Sequence, residues 1–223
     1  MKTINSQWNK IYQQKKSSYV SNLLTWNDIV VFLQKRSVNT VLDVGCGGGQ
    51  YLVNLAKIGF DVSGIDNSIE AINIAKTFFK KDALKANLLV ADMHKKIPFE
   101  DSSFDAVFSL RTLNHGDIKE INASFSEIKR VLRKNGIVFF TVQKILGFRN
   151  RLGECNLNNL AVNFVEPRTY IKLESDEKGI KHFVSNKSIL INLLKEYKIL
   201  KFWVDCGKEK WEKYYCILAE KLD

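Results

Sequence analysis

The run Val41-Leu42-Asp43-Val44-Gly45-Cys46-Gly47-Gly48-Gly49 places one carboxylate and four glycines within nine residues. Glycines at such a turn let a ligand approach the backbone and leave amide groups exposed at a helix start. Two familiar glycine loops do not fit. A dinucleotide fingerprint opened by Gly45 and Gly47 needs glycine at position 50, which is Gln50, and a phosphate loop needs a Gly-Lys-Ser/Thr ending that is absent. Asp43 argues in the same direction, because a carboxylate at a strand end repels a pyrophosphate; it either braces the loop amides or faces a cationic ligand.

A second acid, Asp66 in Val62-Ser63-Gly64-Ile65-Asp66-Asn67, follows by roughly 20 residues, the spacing at which a carboxylate hydrogen-bonds ribose hydroxyls. Its alternative role is to cap the next helix, which Asn67 or Ser68 fills as readily. A third acid, Asp92, precedes Met93. An adenine amino group can donate to Asp92 while the Met93 amide donates to the ring and Met93 or Ile65 packs against its face. Any one of these carboxylates could be a turn residue, but three at successive strand ends make coincidence a weaker explanation.

The elements that must hold these residues alternate between strand and helix periods. A helix is read from about Tyr19 to Arg36. Strands follow at Thr40 to Val44, Phe60 to Ile65, Asn87 to Ala91, Phe104 to Leu110 and Gly136 to Val142. Helices lie between them at Gln50 to Ile58, Ser68 to Lys81 and Ile118 to Leu132, and Arg133-Lys134-Asn135-Gly136 reads as a turn. Such alternation implies a doubly wound α/β sheet, mostly parallel, binding ligands beyond the carboxyl ends of its strands. Residues 144–184 carry weak periodicity and read as a long functional loop. A helix near Ser185 to Tyr197 and strands Ile199 to Val204 and Tyr214 to Leu218 close the chain. One domain over residues 1–223 is expected.

Composition narrows the function classes. The chain has 223 residues, 45% hydrophobic and 26% charged, with no apolar run of the roughly 18 to 20 residues a membrane span requires. Met1 to Ser6 leads into no hydrophobic signal segment, and Cys46, Cys155, Cys206 and Cys216 show no CxxC or zinc-ligand spacing. A reducing cytoplasm and no metal are the expectation. The formal charge is +10, yet residues 41–75 hold four acids against one base, and 97–118 the same. The basic excess lies elsewhere, mainly in 1–40 and 119–151, so nucleic acid is an alternative partner and not the favoured one.

The runs VLDVGCGGG, GIDNS, ADMHKKIPFEDSSFDAVFSLRTLNH and IKRVLRKNGIVFFTV closely resemble the class I S-adenosylmethionine-dependent methyltransferases, in the small single-domain group related to methyltransferase types 11 and 25. The resemblance covers about residues 38–143. It implies a Rossmann-like, seven-stranded sheet with the last strand antiparallel, at Tyr214 to Leu218. It also implies S-adenosylmethionine as cofactor and S-adenosylhomocysteine as product. By matching position, Asp43, Gly45, Cys46, Gly47 and Gly49 hold the methionine moiety, Asp66 with Asn67 the ribose, and Asp92 with Met93 the adenine; Leu110 also borders the cofactor. Residues 1–37 become a lid and helix in which Trp8 and Tyr12 cover the cofactor or finish the core, with Tyr19 toward the substrate. Residues 144–184 become the segment over the substrate.

Within Ser109-Leu110-Arg111-Thr112-Leu113-Asn114-His115, the resemblance places substrate-facing groups. His115 is the expected base or acceptor-orienting residue, or else a loop brace. Arg111 fixes an anionic acceptor or forms a surface ion pair; His94 reads as solvated, and Arg168 and His182 as residues of the covering segment. No Asp/Asn-Pro-Pro-Tyr/Phe or Pro-Cys motif of DNA-base methylation is present. A small-molecule acceptor is the leading expectation, with RNA, protein or cofactor binding without catalysis as alternatives, in a monomer or homodimer.

Overall fold

The computed structural model describes residues 5–15, 26–144, 161–206 and 213–222. Its centre is a seven-stranded sheet of order β3-β2-β1-β4-β5-β10-β9. The strands are β1 (Thr40–Val44), β2 (Asp61–Asp66), β3 (Asn87–Val90), β4 (Phe104–Leu110), β5 (Leu132–Gln143), β9 (Tyr197–Cys206) and β10 (Lys213–Lys221). Neighbours from β3 to β5 are parallel, and β10 runs antiparallel to both β5 and β9. The expected Rossmann-like sheet is therefore present, with the final strand inserted between β5 and β9.

Period-two alternation sends each strand into two cores. Val41 on β1, Val62 on β2 and Phe108 and Phe139 on β4 and β5 pack beneath α2 (Trp26–Lys35), α3 (Gln50–Lys57) and α4 (Ile69–Lys81). Leu42, Val44, Val107 and Phe140 face the other way, onto α5 (Ile118–Val131) and α6 (Lys187–Leu193). Leu42, Phe108, Phe139 and Phe140 are wholly buried, each stabilising the fold by on the order of 1.5–3 kcal/mol. Ser68 caps α4 by accepting from the Ala71 amide at 3.2 Å. Asp117 and Glu120 form a reciprocal capping box at the start of α5.

Three expectations about elements change. The aromatic segment around Trp8 is itself a helix, α1 (Asn5–Lys15), and the helix read from Tyr19 is described from Trp26. Strand β5 begins at Leu132, directly after α5, with the anticipated turn absorbed inside it at Asn135, φ 57°. Finally, the segment read as a loop contains an antiparallel sheet, β6 (Val162–Glu166), β7 (Thr169–Lys172) and β8 (Lys181–Phe183). Its strands are three to five residues long, too short for a period to stand out.

Candidate active site

The carboxyl ends of β1, β2, β3 and β4 open on one cavity of about 500 Å³. At its floor, the Gly45 and Cys46 amides donate to the Ile65 carbonyl at 2.8 and 2.9 Å, and Gly47 donates to Asp66 Oδ2 at 2.9 Å. Asp66 Oδ1 accepts from Ser68 N at 2.9 Å, so one carboxylate ties the glycine loop to α4. Each oxygen retains a lone pair for a ligand hydroxyl. Gly45 and Gly47 adopt φ 78° and 52°, and a Cβ there would lie 2.2 Å from Thr112 Cγ2 or 2.4 Å from the Tyr12 hydroxyl. Gly49 serves packing instead: its Cβ position lies 2.9 Å from Ala75 Cβ, and it does not line the cavity.

Asp43 lines the cavity although it is only 3% exposed, and its Oδ1 is buried without a hydrogen-bond partner. Burial, then the neighbouring Asp66 carboxylate, pushes its pKa up to about 7. Burial also raises Asp66, to about 6, against the lowering by the Ser68, Gly47 and Asn67 amides. Such a pair gains by meeting positive charge. Cys46 and Asn67 also line this end.

At the end of β3, Ala91, Met93 and His94 line the cavity, whereas Asp92 does not. Its Oδ1 accepts from the His94 amide at 3.0 Å and its Oδ2 lies 3.7 Å from Lys95 Nζ. The adenine edge is thus bordered by the Met93 region, with the Asp92 carboxylate engaged locally. His94, read as solvated, packs inward: Nδ1 lies 2.9 Å from Ser124 Oγ and 3.1 Å from the Glu120 carbonyl on α5.

Helix α1 forms part of the roof. Its Asn9 Oδ1 accepts from Ser68 Oγ at 2.8 Å, Gln13 donates to Glu70 at 3.2 Å, and Gln7 donates to the Asp176 carbonyl at 2.7 Å. These bonds join α4 to the small sheet across the cavity. Tyr12 sits above Gly47, and Trp8 meets the His115 ring edge-on at 5.0 Å.

The other end collects Leu110, Arg111, Thr112, Asn114 and His115 after β4. Arg111, at φ 61°, lines the cavity and stacks its guanidinium over Tyr214 at 4.2 Å. His115 and His182 lie with ring centroids 4.9 Å apart. Burial drives His115 down to about 4, opposed chiefly by the Glu177 carboxylate, and His182 down to about 3. Both rings are consequently neutral near pH 7. Arg168 is elsewhere: it donates to the Val184 carbonyl at 3.1 Å and borders a separate groove with Phe183 and Ile189. Tyr19 lies outside the described residues.

Residues 42–140 match the methyltransferase domain family. A ubiquinone biosynthesis O-methyltransferase of Pelagibacter ubique is 34% identical over 107 residues, which are 48% of this chain and 43% of that relative. The chain spans less than half the length of the curated relatives it first matches. A methyltransferase from Clostridium acetobutylicum superposes with TM-score 0.70 at 17% identity, over 99% of this chain and all of that one. Another, from Methanosarcina mazei, gives 0.69 at 24% identity, over 82% and 92%. Over residues 42–140 the chain is similar to a methyltransferase domain.

The residues present suit S-adenosylmethionine, the cofactor that the likeness to a methyltransferase domain implies. The orphaned Asp43 oxygen meets the need of a buried acid for a cation, and the glycines leave the loop free of Cβ atoms where Thr112 and Tyr12 close in. The sequence reading did not single out Gly48, Tyr51, Gln143, Lys172, Glu177, Lys181 and Tyr214, which also line the cavity. Gly48 was visible in the glycine run. Lys172, Glu177 and Tyr214 come from the small sheet and β10, far along the chain, and carried no motif.

Proposed function

We propose that this chain transfers a methyl group from S-adenosylmethionine to a small-molecule acceptor held between β4 and the β6–β8 sheet. One observation carries the reading: a single roofed cavity has a cation-seeking carboxylate pair at one end and neutral imidazoles at the other. When bound, the cofactor supplies an electrophilic methyl on a sulfonium. Asp43 and the Gly45–Gly48 loop hold the methionine end, Asp66 the ribose, and the Met93 region the base. Leu110, Thr112 and Asn114 border the line of attack, Trp8 and Tyr12 exclude water, and His115 orients or deprotonates the acceptor. Alignment in a dry cavity supplies most of the acceleration in such a displacement.

The basic excess fits this reading better than it fits RNA. Lys129 pairs with Glu196, Arg130 with Asp101 and Glu127, and Arg133 with Asp105. These residues flank the amino end of β5, opposite the strand ends that form the cavity. Among the described residues no helix is long and apolar enough to cross a membrane, and Cys46 and Cys216 are buried free thiols, as a reducing compartment permits.

The test is incubation with methyl-labelled cofactor and, separately, the small-molecule filtrate, RNA and protein of a cell extract. Label is expected in the filtrate; label confined to RNA or protein rejects the acceptor class. Asp66→Ala is expected to weaken binding of cofactor and product alike in calorimetry, and unchanged affinity removes Asp66 from the site.

A further inference from the structure

The acceptor end contains a cluster that cofactor binding leaves unexplained. Glu177, between β7 and β8, places Oε2 3.5 Å from His182 Nε2 and ion-pairs with Lys172 of β7. The His182 ring lies flat on Tyr170 at 5.1 Å and meets the His115 ring edge-on at 4.9 Å. Backbone bonds clamp the two histidine segments: Phe183 N donates to the Asn114 carbonyl at 2.7 Å, and Gly116 N to the Lys181 carbonyl at 3.1 Å. His115 Nδ1 and His182 Nε2 are both buried without a hydrogen-bond partner. His115 lines the cavity, and its Nε2 is the nitrogen assigned to the acceptor below. An orphaned buried nitrogen costs about 1–3 kcal/mol; His115 Nδ1 is one, and His182 Nε2 has the Glu177 carboxylate only at the longer 3.5 Å, so the pair of rings on the cavity wall asks for a function.

We propose that Glu177, acting through His182, is a positioning residue that holds His115 as the base, and that the acceptor is consequently protic, a hydroxyl or an N–H group. The inference rests on the methyl-transfer reading. In the step, a lone pair on the acceptor oxygen or nitrogen forms the bond to the methyl carbon, and the carbon–sulfur bond breaks with its electrons remaining on sulfur. The acceptor proton passes to Nε2 of His115. The Glu177 carboxylate and a hydrogen bond to the Arg111 backbone favour the imidazolium so formed, while burial, Lys172 and His94 oppose it. A thiolate or carbon nucleophile arriving without that proton would need none of these groups.

The chain has three histidines, so ¹⁵N-histidine spectra can be assigned by replacing each in turn. In protein saturated with S-adenosylhomocysteine, wild-type His115 is expected to stay neutral to below about pH 5, as a single tautomer. Glu177→Gln should leave calorimetric affinity for S-adenosylhomocysteine within about twofold while moving the His115 titration lower and mixing its tautomers. It should also slow methyl transfer to the labelled filtrate acceptor by about tenfold or more, the factor set by a weakened base, and Glu177→Asp should restore part of the rate. If Glu177→Gln fails to fold, Lys172→Met tests the same charge with opposite sign, raising the His115 titration. A His115 titration and tautomer unchanged in the folded variant overturns the proposal, as does a product methylated on sulfur or carbon. Failure of the wild-type protein to bind S-adenosylhomocysteine instead overturns the methyltransferase reading, and the histidine titration in cofactor-free protein still reports whether Glu177 acts on His115.

Discussion

Asp43 is nearly removed from water, keeps one oxygen unbonded and shares its surroundings with Asp66. In the free protein its proton is therefore held to about pH 7. A ligand cation that needs the ionised form must displace that proton, so binding and deprotonation are linked. Cofactor affinity is expected to rise up to about tenfold per pH unit between about pH 5 and 7, then level off as Asp43 ionises unaided. Isothermal calorimetry in buffers of different ionisation enthalpy should detect the released proton. Asp43→Asn should lower affinity and flatten the slope; an unaltered slope assigns the proton to another group. At the opposite end, His115→Ala is expected to reduce turnover far more than cofactor affinity, because the ring stands beside Trp8 and His182. Equal turnover rejects its catalytic role.

At the scale of elements, the cofactor end depends on α1 meeting a loop that has no side chains in its path. Gly47→Ala would bring a Cβ to 2.4 Å from the Tyr12 hydroxyl at a left-handed φ of 52°. The backbone conformation alone costs on the order of 1 kcal/mol. The clash adds displacement of α1, so cofactor affinity should fall, and Tyr12→Phe in the same chain should recover part of it, measured by calorimetry. No recovery would show that backbone strain alone is responsible. These elements were unevenly readable in the sequence. Strands β1, β2 and β4 announced themselves because they are buried on both faces, giving short apolar runs with Asp43, Asp66 and Arg111 at or next to their carboxyl ends. Helix α1 was obscured by its polar composition, since Asn9 and Gln13 face α4 with hydrogen bonds in place of an apolar stripe. The carboxylate of Asp92 has the right position but is engaged by His94 N, a local turn contact that spacing cannot distinguish from a ligand contact. Glu177 and Tyr214 were invisible as site residues because only the pairing of β7 with β8 and of β10 with β5 brings them to the strand ends.

For the molecule as a whole, the two ends of the cavity pull stability in opposite directions with pH. Asp43 and Asp66 have folded pKa values raised from 3.8 to about 7 and about 6. Their contribution to stability is fully present below pH 3.8 and is lost as the pH rises through those folded values. His115 and His182 are depressed from 6.5 to about 4 and about 3; their contribution is fully present above pH 6.5 and is lost as the pH falls through those values. Between about pH 4.5 and 6 the folded state carries extra protons on two carboxylates while the unfolded state carries them on two imidazoles, so these contributions to the slope nearly cancel. Cofactor binding breaks the balance, because a bound cation ionises the carboxylates and leaves the imidazole contribution unopposed. The stabilisation conferred by saturating S-adenosylmethionine should therefore increase across this window, while the Tm of the free protein changes little from these four groups. Scanning calorimetry at a series of pH values measures both quantities. A cofactor-induced Tm shift that is constant from about pH 4.5 to 6 would mean that Asp43 and Asp66 are already ionised in the free protein, and that the site meets its cation with charge in place.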